Sequence, residues 1–322
     1  MTTTPEAYVH LSTDKTTLTF YYDTLRADRN GTTWGIRDWD AFFSCPAWAG
    51  DFNPRSTTVL TAVFDASFRD FRPTTTEGWF YELNLLERIE GLEHLNTSQV
   101  TSMSGLFWGC GSLTSLDLSR FDTSKVTSMS GLFSGCGSLT SLDLTCFDTS
   151  KVTDMGWMFE GCGSLTSLDL TRFDTSKVTD MGWMFSGCGS LTSLDLTSFD
   201  TSKVTDMEEM FSGCESLTAL DLSSFDTSEV SYMRGMFYSC KSLTALDLSS
   251  FDTSKVTDMR GMFYSCESLT TIYCNSSWSD RLSDDMFSGC NSLRGAATNV
   301  GNSYDVSMAN PETGYFTKKV LS

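Results

Sequence analysis

The chain has little histidine, little proline and a deficit of basic residues. Two His, five Pro and 22 Lys plus Arg against 41 Asp plus Glu stand in 322 residues, a formal charge of −19. A surface that binds a phosphate backbone needs clustered Lys and Arg, so nucleic acid is excluded as a partner. No apolar run approaches the roughly 18 residues of a membrane-spanning helix, and membrane insertion is not expected. The start, MTTTPEAYVH, lacks the basic and apolar regions of a secretion signal, which fits a protein kept inside the cell or a mature form. His10 and His94 are far apart, and neither sits in a Ser/His/Asp or metal-ligand arrangement. Catalysis would have to depend on the non-repeating ends, so the chain reads as a non-enzyme with no cofactor.

What the chain does have is repetition. An F-x-x-C pattern places Cys110, Cys136, Cys162, Cys188, Cys214, Cys240 and Cys266 at a strict 26-residue period, with a shortened step to Cys290. Leu116, Phe121 and Val126 recur in the same register down the chain. A unit with one narrow apolar edge cannot bury it alone, so neighbours must stack, which is the logic of a solenoid. Within a unit, L-x-x-L-x-L alternates with period two and predicts a short strand, so stacked units predict a parallel sheet. FDTSKVT predicts a turn, because Asp, Thr and Ser side chains bond nearby backbone groups. Met155, Met158, Phe159 and Cys162 fall at i, i+3, i+4 and i+7, the spacing of one face of a short helix or irregular helical turn.

The expected fold class is therefore an α/β repeat: a right-handed solenoid with a parallel sheet on one face and short helical turns on the other. Residues 1–57 do not repeat, and YVHLS and TLTFYYD flanking TDKT suggest a hairpin, hence an N-terminal β-rich cap. Residues 58–290 form the solenoid, its first unit degenerate, with Trp79-Phe80 in place of the Met-Phe pair and one residue out of phase. Residues 291–322 form a C-terminal cap. About eight to nine rungs at about 4.8 Å each give a length of roughly 40 Å.

The unit LxxLDLSxFDTSxVTxMxxMFxGCxS resembles the 26-residue leucine-rich repeats of BspA-like bacterial surface proteins, relatives of the treponemal-type repeats with their LxxLxL and AFxxC signatures. The resemblance covers about two thirds of the chain, and VFDASFRDFRPTTTEGWF and NPETGYF also look like the flanks of those proteins. It implies a cell-surface or secreted protein used for adhesion to host matrix proteins, host cells or other microbes.

The columns offer candidate chemistry. Zinc needs close thiolates such as CxxC, and the chain has none, so the Cys column reads as buried free thiols acting as small apolar residues. Cys146 stands outside that column. Asp117, Asp143, Asp169, Asp195, Asp221 and Asp247 repeat between the inward leucines, about 5 Å from rung to rung, where like charges repel. Either Ca²⁺ bridges them, or each carboxylate accepts hydrogen bonds from backbone and hydroxyl groups, the reading favoured here because the chain lacks a compact DxDxDG loop. The second reading extends to Asp122 and its equivalents in FDTS.

Positions that vary on a constant scaffold are those offered to partners. Trp157 and Trp183 occupy a column that elsewhere holds Gly105, Gly131, Glu209, Gly235 and Gly261, and Trp108, Tyr238 and Tyr264 share a second one. These aromatics are either anchors for a protein or glycan ligand or covers over neighbouring Met and Phe. Arg234 and Arg260 share a column with Glu208 and read as a solvated charge mix. The expected function is non-catalytic binding of a host or microbial surface protein or glycan. The alternative is self-association into a surface layer or filament, which light scattering separates from a persistent monomer.

Overall fold

The computed structural model describes residues 4–40, 45–49, 58–279, 282–297 and 304–319, which leaves parts of both expected caps, residues 50–57 and 298–303 among them, outside the described residues. The chain forms two compact units, residues 1–151 and 152–322.

In the first unit, β1 (Glu6–Leu11) pairs antiparallel with β2 (Thr17–Asp23) around the turn that Lys15 closes at φ 62°. β3 (Thr32–Gly35) adds to the far side of β1, and a two-residue pair, β4 (Trp39–Asp40) with β5 (Cys45–Pro46), follows. β6 (Thr61–Phe64) and β7 (Arg88–Glu90) then extend the sheet in parallel, in the order β3-β1-β2-β6-β7. The hairpin thus covers the first of the parallel strands. Phe20, Phe64 and Trp79 stack beneath it, with Phe20–Phe64 centroids 4.6 Å apart, and Trp48 donates its indole N–H to the Trp79 carbonyl at 2.8 Å.

In the second unit, β8 (Ala245–Asp247), β9 (Thr271–Tyr273) and β10 (Phe316–Thr317) pair in parallel in the order β10-β9-β8. Trp278 meets Phe316 edge-on at 4.9 Å, closing the apolar end of the stack.

The regular turns depart from the expected sheet. Among the described residues, the L-x-L segments between Leu113 and Leu222 form no ladder; strand pairing there appears only where β8 lies against β9, itself backed by β10. Turns are joined along two other lines instead. One is the M-x-x-M-F arm: Met155, Trp157, Phe159 and Gly161 donate their N–H groups to Asp180, Gly182, Met184 and Ser186 of the next turn at 2.7–3.0 Å. The other is the FDTS arm. Thr175 Oγ1 donates to the Asp200 carbonyl at 2.9 Å and accepts from the Asp200 amide at 2.8 Å, and Thr201 and Thr227 repeat the arrangement with Asp226 and Asp252.

The arm expected to form a short helix or an irregular helical turn is a run of tight turns, and no α-helix occurs among the described residues. Met158, Glu160 and Cys162 donate to the carbonyls three residues back, while Trp157 and Gly161 take φ of 56° and 67°. A left-handed residue every fourth position stops an α-helix from propagating and turns the intervening N–H groups toward the next rung. The side-chain spacing survives: Met155, Met158, Phe159 and Cys162 are all buried. Phe159, Phe185, Phe211, Phe237 and Phe263 stack at 5.6–5.8 Å with planes within 8°, a continuous apolar spine in the second unit. All eleven cysteines are free, and those of the F-x-x-C column are buried.

Candidate interaction surface

The two variable columns lie on this turn arm, three residues apart and complementary in size. Where the first column holds Gly105, Gly235 or Gly261, the second supplies a ring; Gly131, paired with Ser134, is covered by the Trp108 ring of the turn before. In the first unit Trp108 lies over the next turn so closely that a Cβ on Gly131 would be 2.3 Å from its Cε3, and Tyr81 tilts against it at 6.0 Å. Tyr81 also lines a cleft of about 180 Å³ with Trp39, Glu77 and Ser104. In the second unit Tyr238 and Tyr264 stack at 4.8 Å with planes 4° apart, beside Gly235 and Gly261. Where the first column itself holds Trp157 and Trp183, the second holds Glu160 and Ser186. Those indoles stack at 5.0 Å and 7°.

The first column is also the left-handed one. Gly105, Gly131, Gly235 and Gly261 take φ of 58–60°, and Trp157, Trp183 and Glu209 are held at 56°, 54° and 49°. For a residue with a Cβ this conformation costs about 1–2 kcal/mol. The structure therefore brings four of the five sequence-predicted aromatics into two stacked pairs, all half-buried except Tyr238, which is exposed, and sets Trp108 in the other unit. Tyr81 was missed because its turn is one residue out of phase.

The carboxylates of Asp117, Asp143, Asp169, Asp195 and Asp221 are exposed and fold back onto their own loops. Asp143 Oδ1 accepts from the Thr145 amide at 3.0 Å and hydroxyl at 2.6 Å, and Asp169 and Asp195 do the same with Thr171 and Thr197. These hydroxyl and amide donors hold the five carboxyls below the usual range. Asp247 differs, since Lys319 reaches back to pair with it. Among the described residues, no three His, Cys, Asp or Glu side chains gather as a metal cluster.

A third acidic column carries more strain. Asp154, Asp180 and Asp206 face one another in parallel bridges at the root of the turn arm, where the first unit has Thr75, Ser102 and Ser128. Burial, then Asp206 and Asp154, push the Asp180 carboxyl up to about 6, and burial raises Asp206 as well. Periodicity alone did not separate this column from the exposed ones; the adjacent Gly156 and Gly182, which leave room for the carboxylates, were the signal. A Cβ on Gly156 would lie 3.0 Å from Asp180 Oδ1. Arg234 and Glu208 meet at 3.2 Å. The two imidazoles belong to the N-terminal framework: His10 Nε2 is 2.7 Å from the Asn30 carbonyl oxygen, and His94 Nδ1 is 3.0 Å from that of Phe64.

Two solved structures align with nearly the whole chain. A leucine-rich repeat protein from Bacteroides ovatus is 17% identical over 98% of each chain with a TM-score of 0.27. A leucine-rich cell surface protein from Faecalibacterium prausnitzii is 17% identical over 100% of each chain with a TM-score of 0.31. No curated protein matches the chain. The family described as "Mycoplasma protein of unknown function, DUF285" matches twice, over residues 74–194 and 183–300. Those two matches take in all the regular 26-residue turns and well over half of the sequence, so the chain belongs to the DUF285 family.

Proposed function

We propose that the chain is a non-catalytic binding module: a right-handed solenoid, displayed at a cell surface, that holds a protein or glycan ligand on its repeat surface. The observation that carries this reading is the contrast between an invariant interior and a varied exterior on the same turns. Val178, Met181, Phe185 and Cys188 recur unchanged and buried from turn to turn. One side chain away, the outer columns change from Gly to Trp to Glu and from Ser to Tyr. A scaffold that holds its core constant while varying a row of half-buried aromatics is suited to recognition. The repeat's resemblance to BspA-like adhesins points the same way.

The test is capture of the purified chain on immobilised matrix proteins and a glycan array. Saturable binding to a defined ligand supports the reading; no binding, together with concentration-dependent assembly in light scattering, favours a structural layer instead.

A further inference from the structure

The Trp157–Trp183 pair combines features that no other part of the turn arm shares. Both tryptophans sit in a left-handed conformation that Gly adopts freely at four of the seven positions of the column. Ring stacking at 5.0 Å returns about 0.5–1.5 kcal/mol, less than two strained residues cost. Glycine would serve the fold about as well, so packing alone does not explain the two indoles.

Their surroundings are acidic. Asp180 approaches the residue before Trp157, and Asp180 and Asp206 both approach the residue before Trp183, within 3.0–3.3 Å of a Cβ built on Gly156 or Gly182. The Trp183 amide donates to the Glu208 carbonyl at 2.7 Å, which sets Glu208 on the adjoining turn, and Glu209 takes the next place in the tryptophan column itself. These acids crowd one another. Burial raises the Glu208 carboxyl, Arg234 lowers it, and Asp206 and Glu209 push it further up. Arg234 pairs with Glu208 at 3.2 Å, and Arg260 pairs with Asp258 further along the same column, so the acids still outnumber the bases.

We infer that the Trp157–Trp183 pair and the carboxylates of Asp180, Asp206, Glu208 and Glu209 form a docking surface for a basic polypeptide segment, with Arg or Lys side chains set against the indoles. A cation on the outer side of Trp183 meets a ring, with Glu209 on the adjoining turn, its side chain leaning over Gly235, to draw the next basic residue of the segment. Charge complementarity favours a basic peptide over a neutral glycan: stacked indoles cover each other's facing sides and leave few free ring faces, whereas a cluster in which carboxylates outnumber guanidinium groups attracts cations. The inference rests on the binding-module reading and names its partner chemistry.

The experiment uses the full chain and a defined probe, a synthetic 15-residue peptide carrying five Arg spaced by Gly and Ser, titrated at 0.15 M salt. Three double variants are compared with the parent: Trp157→Gly with Trp183→Gly, Glu208→Gln with Glu209→Gln, and Asp195→Asn with Asp221→Asn as an equal charge change in the L-x-L segments. The tryptophan and glutamate variants are expected to weaken binding by about tenfold, and the aspartate variant by less than about twofold. Equal weakening by both charge variants with none from the tryptophan variant, or no binding by the parent, overturns the inference. Because Gly is native to this column, the tryptophan variant should keep its melting temperature; if it unfolds, the comparison of the two charge variants decides. A ligand found by matrix capture that still binds the Trp157→Gly, Trp183→Gly chain would leave the binding-module reading standing and remove this surface from it.

Discussion

Cys214 donates its S–H to the carbonyl of Phe185, one turn earlier, at 3.2 Å. Cys188, Cys240 and Cys266 make the same bond to Phe159, Phe211 and Phe237 at 3.0–3.1 Å. Burial pushes the Cys214 thiol up to about 12, so the column stays protonated at neutral pH and serves as a line of donors between turns. Cys146, the exposed cysteine, bonds the Leu118 carbonyl, and its thiol is raised by partial burial. A thiol reagent is therefore expected to label one cysteine per native chain, faster at pH 9 than at pH 7, and eleven in denaturant. Cys214→Ala removes a donor and leaves a small cavity, and should cost about 1–2 kcal/mol in urea unfolding. Rapid native labelling at Cys188, Cys214, Cys240 or Cys266 would contradict the donor column.

The threonines of FDTS are the second tie between turns. Thr201 is fully buried, and its hydroxyl both donates to and accepts from the Asp226 backbone at 2.8 Å. Thr201→Val keeps the shape and leaves a buried N–H and C=O without that partner, so it should destabilise by about 2–3 kcal/mol. Thr201→Ser keeps the hydroxyl and loses a methyl, at a cost of about 1 kcal/mol. Equal midpoints for Val and Ser in urea would show that the hydroxyl bridge carries no stability.

The half-buried acids give the pH dependence a definite sign. Asp180 titrates near 6 in the folded chain against 3.8 for the free group, so between those values the folded state holds more protons than the unfolded one. The stability linked to Asp180 is complete below about pH 4 and is lost as the pH rises through 6. Asp143 and Asp169, held low by their Thr hydroxyls, act in the opposite sense and lose their contribution on acidification below about 4. The melting temperature should therefore be higher at pH 5 than at pH 7.5. Asp180→Asn, which can still accept from the Gly182 amide as Asp180 does at 2.9 Å, should stabilise the chain by about 1 kcal/mol at pH 7.5 and have little effect at pH 4. A destabilising Asp180→Asn at pH 7.5 would show that the carboxylate is satisfied.

The interior of this protein was plain in its sequence. Val178, Phe185, Cys188 and Leu196 recur without exception because each turn must match the last, and all are buried. The backbone of the turn arm was harder to read. Met155, Met158, Phe159 and Cys162 have helical spacing, yet the same side-chain directions arise from successive tight turns separated by left-handed residues. Gly105 and Gly109, then Gly131 and Gly135, carried that information in their own four-residue spacing, and Trp157 in the same column concealed it. Nor does a period distinguish Asp143, which is exposed, from Asp180, which is half-buried, since both repeat equally well.

The glycines of the second left-handed column should be the least replaceable residues on the surface. Gly187 has φ 73°, donates to the Ser212 carbonyl at 2.7 Å, and a Cβ on it would lie 3.3 Å from both the Cα and the amide nitrogen of Gly161 on the preceding turn. Two costs combine there: the left-handed conformation, about 1–2 kcal/mol for an ordinary residue, and a backbone contact that requires the turns to separate slightly. Ser239 and Ser265 hold φ of 55° and 54° in the same column, so the conformation itself is attainable with a Cβ. Gly187→Ala should therefore destabilise by about 1–3 kcal/mol without changing the fold, and Gly187→Asn by less than Ala, because Asn tolerates this conformation better while adding the same Cβ. Urea unfolding of the two variants separates the terms. Equal losses assign the cost to the contact with Gly161, and a smaller loss for Asn assigns the difference to the backbone angle.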